Sequence, residues 1–336
     1  MQVAMFLMLI ERYKTYGRDL QDLARKKDRS RCGMMLDNTS LCSQPINSLM
    51  QLILPLLMCV ARGGGDGLRG VFVELGAYDG ITSSNTLVLE KCHGWRGVLI
   101  EGNPTNYRFL ASSGRNASRF VHSAVSSRCH GGVSNFTTLK GEVSGIAEVL
   151  AARLQEIFLY KPKWWPNPHD FVKVPCKRLS TILDESLAHL SKIAAPLRSF
   201  DFFSLDTEGT EDVVLESLLG GGTAAFGDAN RDQANGGADA TGTAGAVSDG
   251  DANGTGAWWL PKVVLVEAVG PVTKDNSVDK MLKAANYTRR HALELKTVDK
   301  RKPRGPGIVR NRVYTRLNSA EELRCAKLLK GGGRST

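Results

Sequence analysis

Acidic residues stand at or just after four short apolar runs, and this placement is the first chemical signal in the chain. Val71-Phe72-Val73-Glu74-Leu75 leads into Gly76-Ala77-Tyr78-Asp79-Gly80, and Val98-Leu99-Ile100 ends at Glu101. Asp201-Phe202-Phe203-Ser204-Leu205 leads into Asp206-Thr207-Glu208-Gly209, and Val263-Val264-Leu265-Val266 ends at Glu267. Apolar runs of this length read as buried strands. In an open parallel sheet, ligands bind just outside the carboxyl ends of the strands, where these residues fall.

Gly76 and Gly80 let the backbone turn sharply and approach a ligand without an intervening side chain. Their spacing is G-x-x-x-G, not the G-x-G-x-x-G that presents a helix N-terminus to a dinucleotide pyrophosphate. Carboxylates at Glu74 and Asp79 repel a pyrophosphate and suit a ligand with a cationic amino-acid end. The pattern therefore points away from NAD and toward S-adenosylmethionine. Glu101 is able to accept both hydroxyls of a ribose, although an acid that merely ends a strand reads the same way. Asp206 and Glu208, two apart on a turn, converge on one pocket if one holds an ammonium and the other orients or deprotonates an acceptor hydroxyl. The alternative is that one of them caps the next helix, as Glu211 and Asp212 are expected to do. Glu267 divides evenly between a site role and none.

The elements that position these residues alternate. A helix stopped by Gly94 is expected between the first two strands, with N-caps offered by Thr82, Ser83 and Ser84. Arg119–His122 is a third strand, a helix runs from about Glu211 to Leu219, and late strands fall at 287–292 and 312–315. Repeated strand–helix–strand units specify an α/β, Rossmann-like, doubly wound, mostly parallel sheet. Residues 1–69 read as a helical extension and linker, with an amphipathic arm at 11–31 and a buried or docking helix near 46–61. Residues 70–316 form the main domain and 317–336 a tail. Residues 219–257 contain eleven glycines and no apolar periodicity, the composition of a disordered insertion.

The net charge is +10, and residues 219–257 contribute −4, so the remainder carries about +14. That sign favours anionic partners such as nucleic acid or a membrane surface. Seven scattered cysteines without a CxxC pair argue against a disulfide framework and a zinc cluster, so reduced thiols and no metal site are expected. Met1–Ile10 lacks a basic lead and a cleavage site, which makes it a poor signal peptide. A cytoplasmic or other intracellular protein follows, with membrane association through the N-terminal region as the lesser alternative.

The runs Phe72–Leu87 and Gly94–Pro104 resemble the opening of FkbM-family methyltransferases. Val174–Leu183, Asp201–Gly209 and Asn311–Tyr314 are similar to later motifs of that family, in the same order. The resemblance implies a class I methyltransferase type of fold, S-adenosylmethionine as cofactor and transfer to a hydroxyl oxygen of a small molecule or glycan. Carried over, Glu74, Gly76, Asp79 and Gly80 would line the methionine end, Asn85 would be a further cofactor contact, and Glu101 with Asn103 would hold the ribose and its surroundings. Ser123, Ala124 and Val125 would flank the adenine, while Asp206 and Glu208 would face the methyl group. Gly102 departs from the family, which more often has proline there. A nucleic-acid-directed methyltransferase and a non-catalytic scaffold on the same fold are the competing readings. The Trp164-Trp165 loop and the nine basic residues of 289–312 are candidate acceptor contacts or, more simply, an anchored loop and a solvated one.

Overall fold

The computed structural model describes residues 48–61, 70–115, 118–129, 132–137, 144–147, 171–191, 199–207, 209–219, 260–268, 277–294 and 310–329. The acidic runs of the sequence become the centre of a seven-stranded sheet. Its strands are β1 (Val71–Leu75), β2 (Arg96–Glu101), β3 (Ser118–His122), β7 (Phe202–Leu205), β8 (Val263–Ala268), β9 (Thr288–Arg289) and β10 (Arg310–Thr315). Their order is β3-β2-β1-β7-β8-β10-β9. β1, β2, β3, β7 and β8 run parallel to their neighbours, and β10 is antiparallel to both β8 and β9. This is a Rossmann-like, doubly wound sheet of the class I methyltransferase type.

Alternation of side chains along each strand sorts them onto two faces. Val73, Val98, Ile100, Phe203, Val264 and Val266 pack against α4 (Leu179–Leu190), α5 (Glu211–Leu219) and α6 (Ser277–Ala284). Phe72, Leu99, Phe202, Leu265 and Val313 face α1 (Ser48–Ala61) and α7 (Ser319–Leu329). The helices α2 (Leu87–His93) and α3 (Pro104–Ala111) connect the first three strands. Burial on both sides explains why every residue of β1 is buried and why all but Glu74 are apolar.

A second, smaller sheet stands beside the first, with β4 (Ala124–Val125), β6 (Phe171–Lys177) and β5 (Val133–Thr137) in that order. β6 is exposed over Phe171–Lys173 and alternates only from there on, and its buried Val174 and Cys176 join Ala124, Phe136 and Ile146 in a core of their own.

Four expectations change. The sequence reading leaves the thiols reduced, but Cys59 is bonded to Cys325 and Cys129 to Cys176, with Cα separations of 6.1 and 5.4 Å. Cysteines far apart in sequence meet because α1 packs on α7 and β6 returns beside residue 129; scattered spacing conceals such pairs. Second, α7 occupies residues that read as a tail; Cys325 and Leu329 are buried under the sheet. Third, β9 spans only Thr288–Arg289, and a 3-10 turn takes His291–Leu293. Fourth, α2 begins only at Leu87, and the residue before it, Thr86, makes no side-chain cap bond; of the three expected caps, Ser84 Oγ accepts the Leu87 N–H at 3.1 Å, while the Thr82 hydroxyl bonds Asp79. Glu208, the Trp164-Trp165 loop, the arm at 11–31 and most of the insertion lie outside the described residues.

Candidate functional site

The carboxyl ends of β1, β2, β7 and β8 open onto a cleft of about 270 Å³. Its lining includes Glu74, Gly76, Tyr78, Asn85, Glu101, Ser123, Ala124, Val125, Phe136, Asp206 and Glu267. The structure therefore brings together most of the residues singled out in the sequence, from segments up to about two hundred residues apart. Among the described lining residues there are four carboxylates and no lysine, arginine or histidine.

Gly76 is the hinge of the site. Its φ is +84°, and a Cβ there would lie 1.8 Å from the backbone oxygen of Asp206. Only glycine allows the loop after β1 to cross so close to the loop after β7. The backbone N–H groups of Gly76 and Ala77 both donate to the carbonyl of Ile100, at 3.1 Å each. That anchors the same loop to β2.

Glu101 sits where β2 ends. Its Oε2 accepts the backbone N–H of Tyr78 at 2.8 Å and its Oε1 that of Asn103 at 2.7 Å. Burial pushes its pKa up to about 7, against the lowering effect of the Asn103 and Tyr78 N–H groups and further bonds from Asn106 and Gly102. The carboxylate is held rigidly but near its ionisation point. Glu267 is also raised by burial, and it hydrogen-bonds the Asp206 side chain, which works in the opposite direction.

Other residues support the site from outside it. Glu74 lines the cleft, but its carboxylate accepts from Ser84 Oγ (2.8 Å), Thr86 Oγ1 (2.6 Å) and the Asn85 N–H (2.7 Å). Its main work is to organise the loop 82–86. Asn85 Nδ2 in turn donates to Ser204 Oγ at 2.9 Å. Asp79 does not line the cleft as expected; its carboxylate accepts the N–H groups of Ile81 and Thr82 and the Thr82 hydroxyl, closing its own turn. Gly80 also lies off the cleft, where a Cβ would press on Leu110 at 2.6 Å. Asn103 caps α3, its Oδ1 accepting from Thr105 and Asn106 N–H, and it reaches the site only through its own N–H on Glu101. Glu211 holds the Thr207 and Gly209 N–H groups, as a cap residue should. Gly102, the departure from the family pattern, makes room for the Phe136 ring, which a Cβ would meet at 2.6 Å.

Arg115 escaped the sequence reading altogether. It is buried and donates to Glu90 Oε2 (2.7 Å), the Gly80 carbonyl (2.8 Å), Ser84 Oγ (3.1 Å) and Thr86 Oγ1 (2.9 Å). One guanidinium thus ties α2 to both ends of the loop that Glu74 organises. Its partner Glu90 sits on α2, 25 residues earlier, and no motif connects them. Of the basic residues near 289–312, Arg289 pairs with Glu294 and Asp279, and Arg290 with Glu322. These charges are satisfied within the fold. Among the described residues, no group of three or more His, Cys, Asp or Glu is arranged to hold a metal, and no helix is long and apolar enough to cross a membrane.

No family model matches the chain, and no curated protein matches it. Among solved structures it is similar to a precorrin-6y C5,15-methyltransferase from Geobacter metallireducens, with 10% identity over 79% of this chain and 88% of that one, at a TM-score of 0.34. It is also similar to an O-methyltransferase from Bacillus cereus in complex with SAH, with 12% identity over 91% of this chain and all of that one, at a TM-score of 0.33. The fold assignment rests on strand order and direction, not on these likenesses.

Proposed function

We propose that the cleft binds S-adenosylmethionine and that the chain is a methyltransferase of FkbM type, acting on a hydroxyl of a small molecule or glycan. The observation that carries this reading is the charge of the lining: four carboxylates and no basic residue among those described. Such a wall attracts a ligand with an ammonium and a sulfonium, and repels the pyrophosphate of NAD. It equally disfavours a polyanionic acceptor at the reacting end, which weighs against nucleic acid despite the chain's net charge of +10.

When bound, S-adenosylmethionine supplies an electrophilic methyl group on a positively charged sulfur. Glu101, held by the Tyr78 and Asn103 N–H groups, accepts the ribose hydroxyls. Ser123, Ala124, Val125 and Phe136 offer a flat, mostly apolar slot for the adenine. Glu74 and the open backbone at Gly76 lie where the amino-acid end belongs. Asp206 and Glu267 both line the cleft, and a carboxylate there can take the proton of an incoming hydroxyl. Holding acceptor and methyl in line supplies much of the rate, and the base adds to it for a protonated acceptor.

Calorimetry on the full chain tests this directly, with NAD as control and Glu101→Ala as the variant. Micromolar binding of S-adenosylmethionine that the variant loses, with none for NAD, supports the reading. A folded chain that binds neither ligand favours the scaffold alternative.

A further inference from the structure

We propose that this chain matures in an oxidising, glycosylating compartment and carries an N-linked oligosaccharide on Asn286. Two independent features lead there. The first is covalent: Cys59–Cys325 ties α1 to α7 across 266 residues, Cys129–Cys176 closes the small sheet, and Cys92 is disulfide-bonded as well. Disulfides that staple a core in this way form and persist in oxidising compartments and are rare where thiols are kept reduced.

The second is the sequon Asn286-Tyr287-Thr288, one of five Asn-X-Ser/Thr triplets in the chain, with those at 38, 116, 135 and 253. Asn286 is exposed in the turn that ends α6, at φ +64°. Tyr287 is buried, and its hydroxyl donates to the Pro261 carbonyl at 2.6 Å. Thr288 is again exposed. The buried tyrosine anchors the triplet and leaves both of its readable residues, one on either side, facing solvent. Asn135, by contrast, is half-buried within β5, and its neighbour Phe136 packs on the cleft wall.

The position is also compatible with an open cleft. Thr288 pairs with Thr315, which pairs with Val263 at the start of β8. Asn286 therefore lies at the amino end of the parallel strands, opposite the cleft, beside the edge strand β9. In the transfer step, Asn286 Nδ2 forms a bond to the anomeric carbon of an oligosaccharide carried on a polyprenyl pyrophosphate. The carbon–oxygen bond to the pyrophosphate breaks, that group leaves with the electron pair, and Nδ2 gives up one proton.

The test uses the full chain, recovered by antibody from its own source cells and alkylated without reduction. It is then treated in heavy-oxygen water with an amidase that removes N-linked glycans. The expected result is a faster-migrating band, a heavy-oxygen label at position 286, and Cys59, Cys129, Cys176 and Cys325 open to alkylation only after reduction. Asn286→Gln and Thr288→Ala abolish the label at 286, while Thr288→Ser keeps it. An unlabelled 286 peptide, or these cysteines alkylating before reduction, overturns the proposal.

Discussion

Asp206 and Glu267, at the mouths of neighbouring parallel strands, line the same cleft. Burial pushes the Glu267 carboxyl above its ordinary range, and the neighbouring Asp206 side chain works in the opposite direction. A carboxyl whose folded pKa is raised binds its proton more tightly when folded, so stability falls as pH rises above its unfolded value of about 4.5. Asp206→Asn and Glu267→Gln each remove one of the two charges. Thermal melts at pH 8 should show both variants more stable than wild type by about 2–4 °C, for relief on the order of 1 kcal/mol, with the gain vanishing near pH 5. In turnover, Asp206→Asn should cost about a hundredfold or more. A variant with wild-type turnover removes Asp206 from the chemistry.

Gly76 and Gly132 have similar left-handed backbones, φ +84° and +74°, but opposite surroundings. A Cβ at 132 meets nothing within 4 Å, whereas at 76 it meets the Asp206 carbonyl. Gly132→Ala should therefore lose only the conformational cost of about 1–2 kcal/mol. Gly76→Ala should lose more and also displace Asp206 from the cleft. Equal melting temperatures for the two variants would show that the crossing of the loops is soft.

Glu101 gives the site a pH dependence with a definite sign. With its pKa near 7, the carboxylate would, under the proposed cofactor assignment, accept ribose hydroxyls above that value and lose acceptor capacity below it. Cofactor affinity should be about tenfold weaker at pH 6 than at pH 8. Glu101→Gln should bind weakly at both, with a flat profile. An equally steep profile in the variant would move the titration to another group.

The chemistry of the site was legible because it follows strand ends. An acid after an apolar run needs only the rule that parallel strands open at their carboxyl ends, and Glu74, Glu101, Asp206 and Glu267 all reach the cleft on that rule. The second sheet was not legible: β6 alternates only from Lys173 on and contains Pro175, and its partner strands lie about forty residues away. Nor did the sequence distinguish acids that face a ligand from acids that hold a loop. Asp79 has the same type and neighbourhood as Glu74, but it spends its carboxylate on the N–H groups of Ile81 and Thr82.

Arg115 shows the same limit in energetic terms. Its charge is compensated by buried Glu90 at 2.7 Å, so removing the guanidinium takes from a buried carboxylate its short-range charge partner and leaves the longer Lys91 contact at 3.8 Å. Arg115→Met should destabilise the chain by about 3–5 kcal/mol, read in a urea melt. The double change Arg115→Met with Glu90→Leu should recover most of that loss. It should not recover cofactor binding, because Ser84 and Thr86 would still lack their guanidinium partner. A double variant that binds normally would show that Glu74 alone sets the loop.

The Cys59–Cys325 and Cys129–Cys176 disulfides should separate stability from binding. Cys59–Cys325 spans 266 residues and joins helices that cover one face of the main sheet. A loop of that length contributes on the order of 5 kcal/mol in the chain-entropy description, all of it exerted on the global unfolding transition. Cys129–Cys176 spans 47 residues and sits in the small core with Ala124, Phe136 and Ile146, three residues that also line the cleft. Serine at both members of the first pair should lower the melting temperature sharply and leave cofactor affinity in the folded fraction unchanged. Serine at both members of the second should lower it less, yet weaken affinity, because the adenine wall loses its brace. Calorimetry and thermal melts on the two double variants check this, and the opposite pattern would place the adenine slot away from the small sheet.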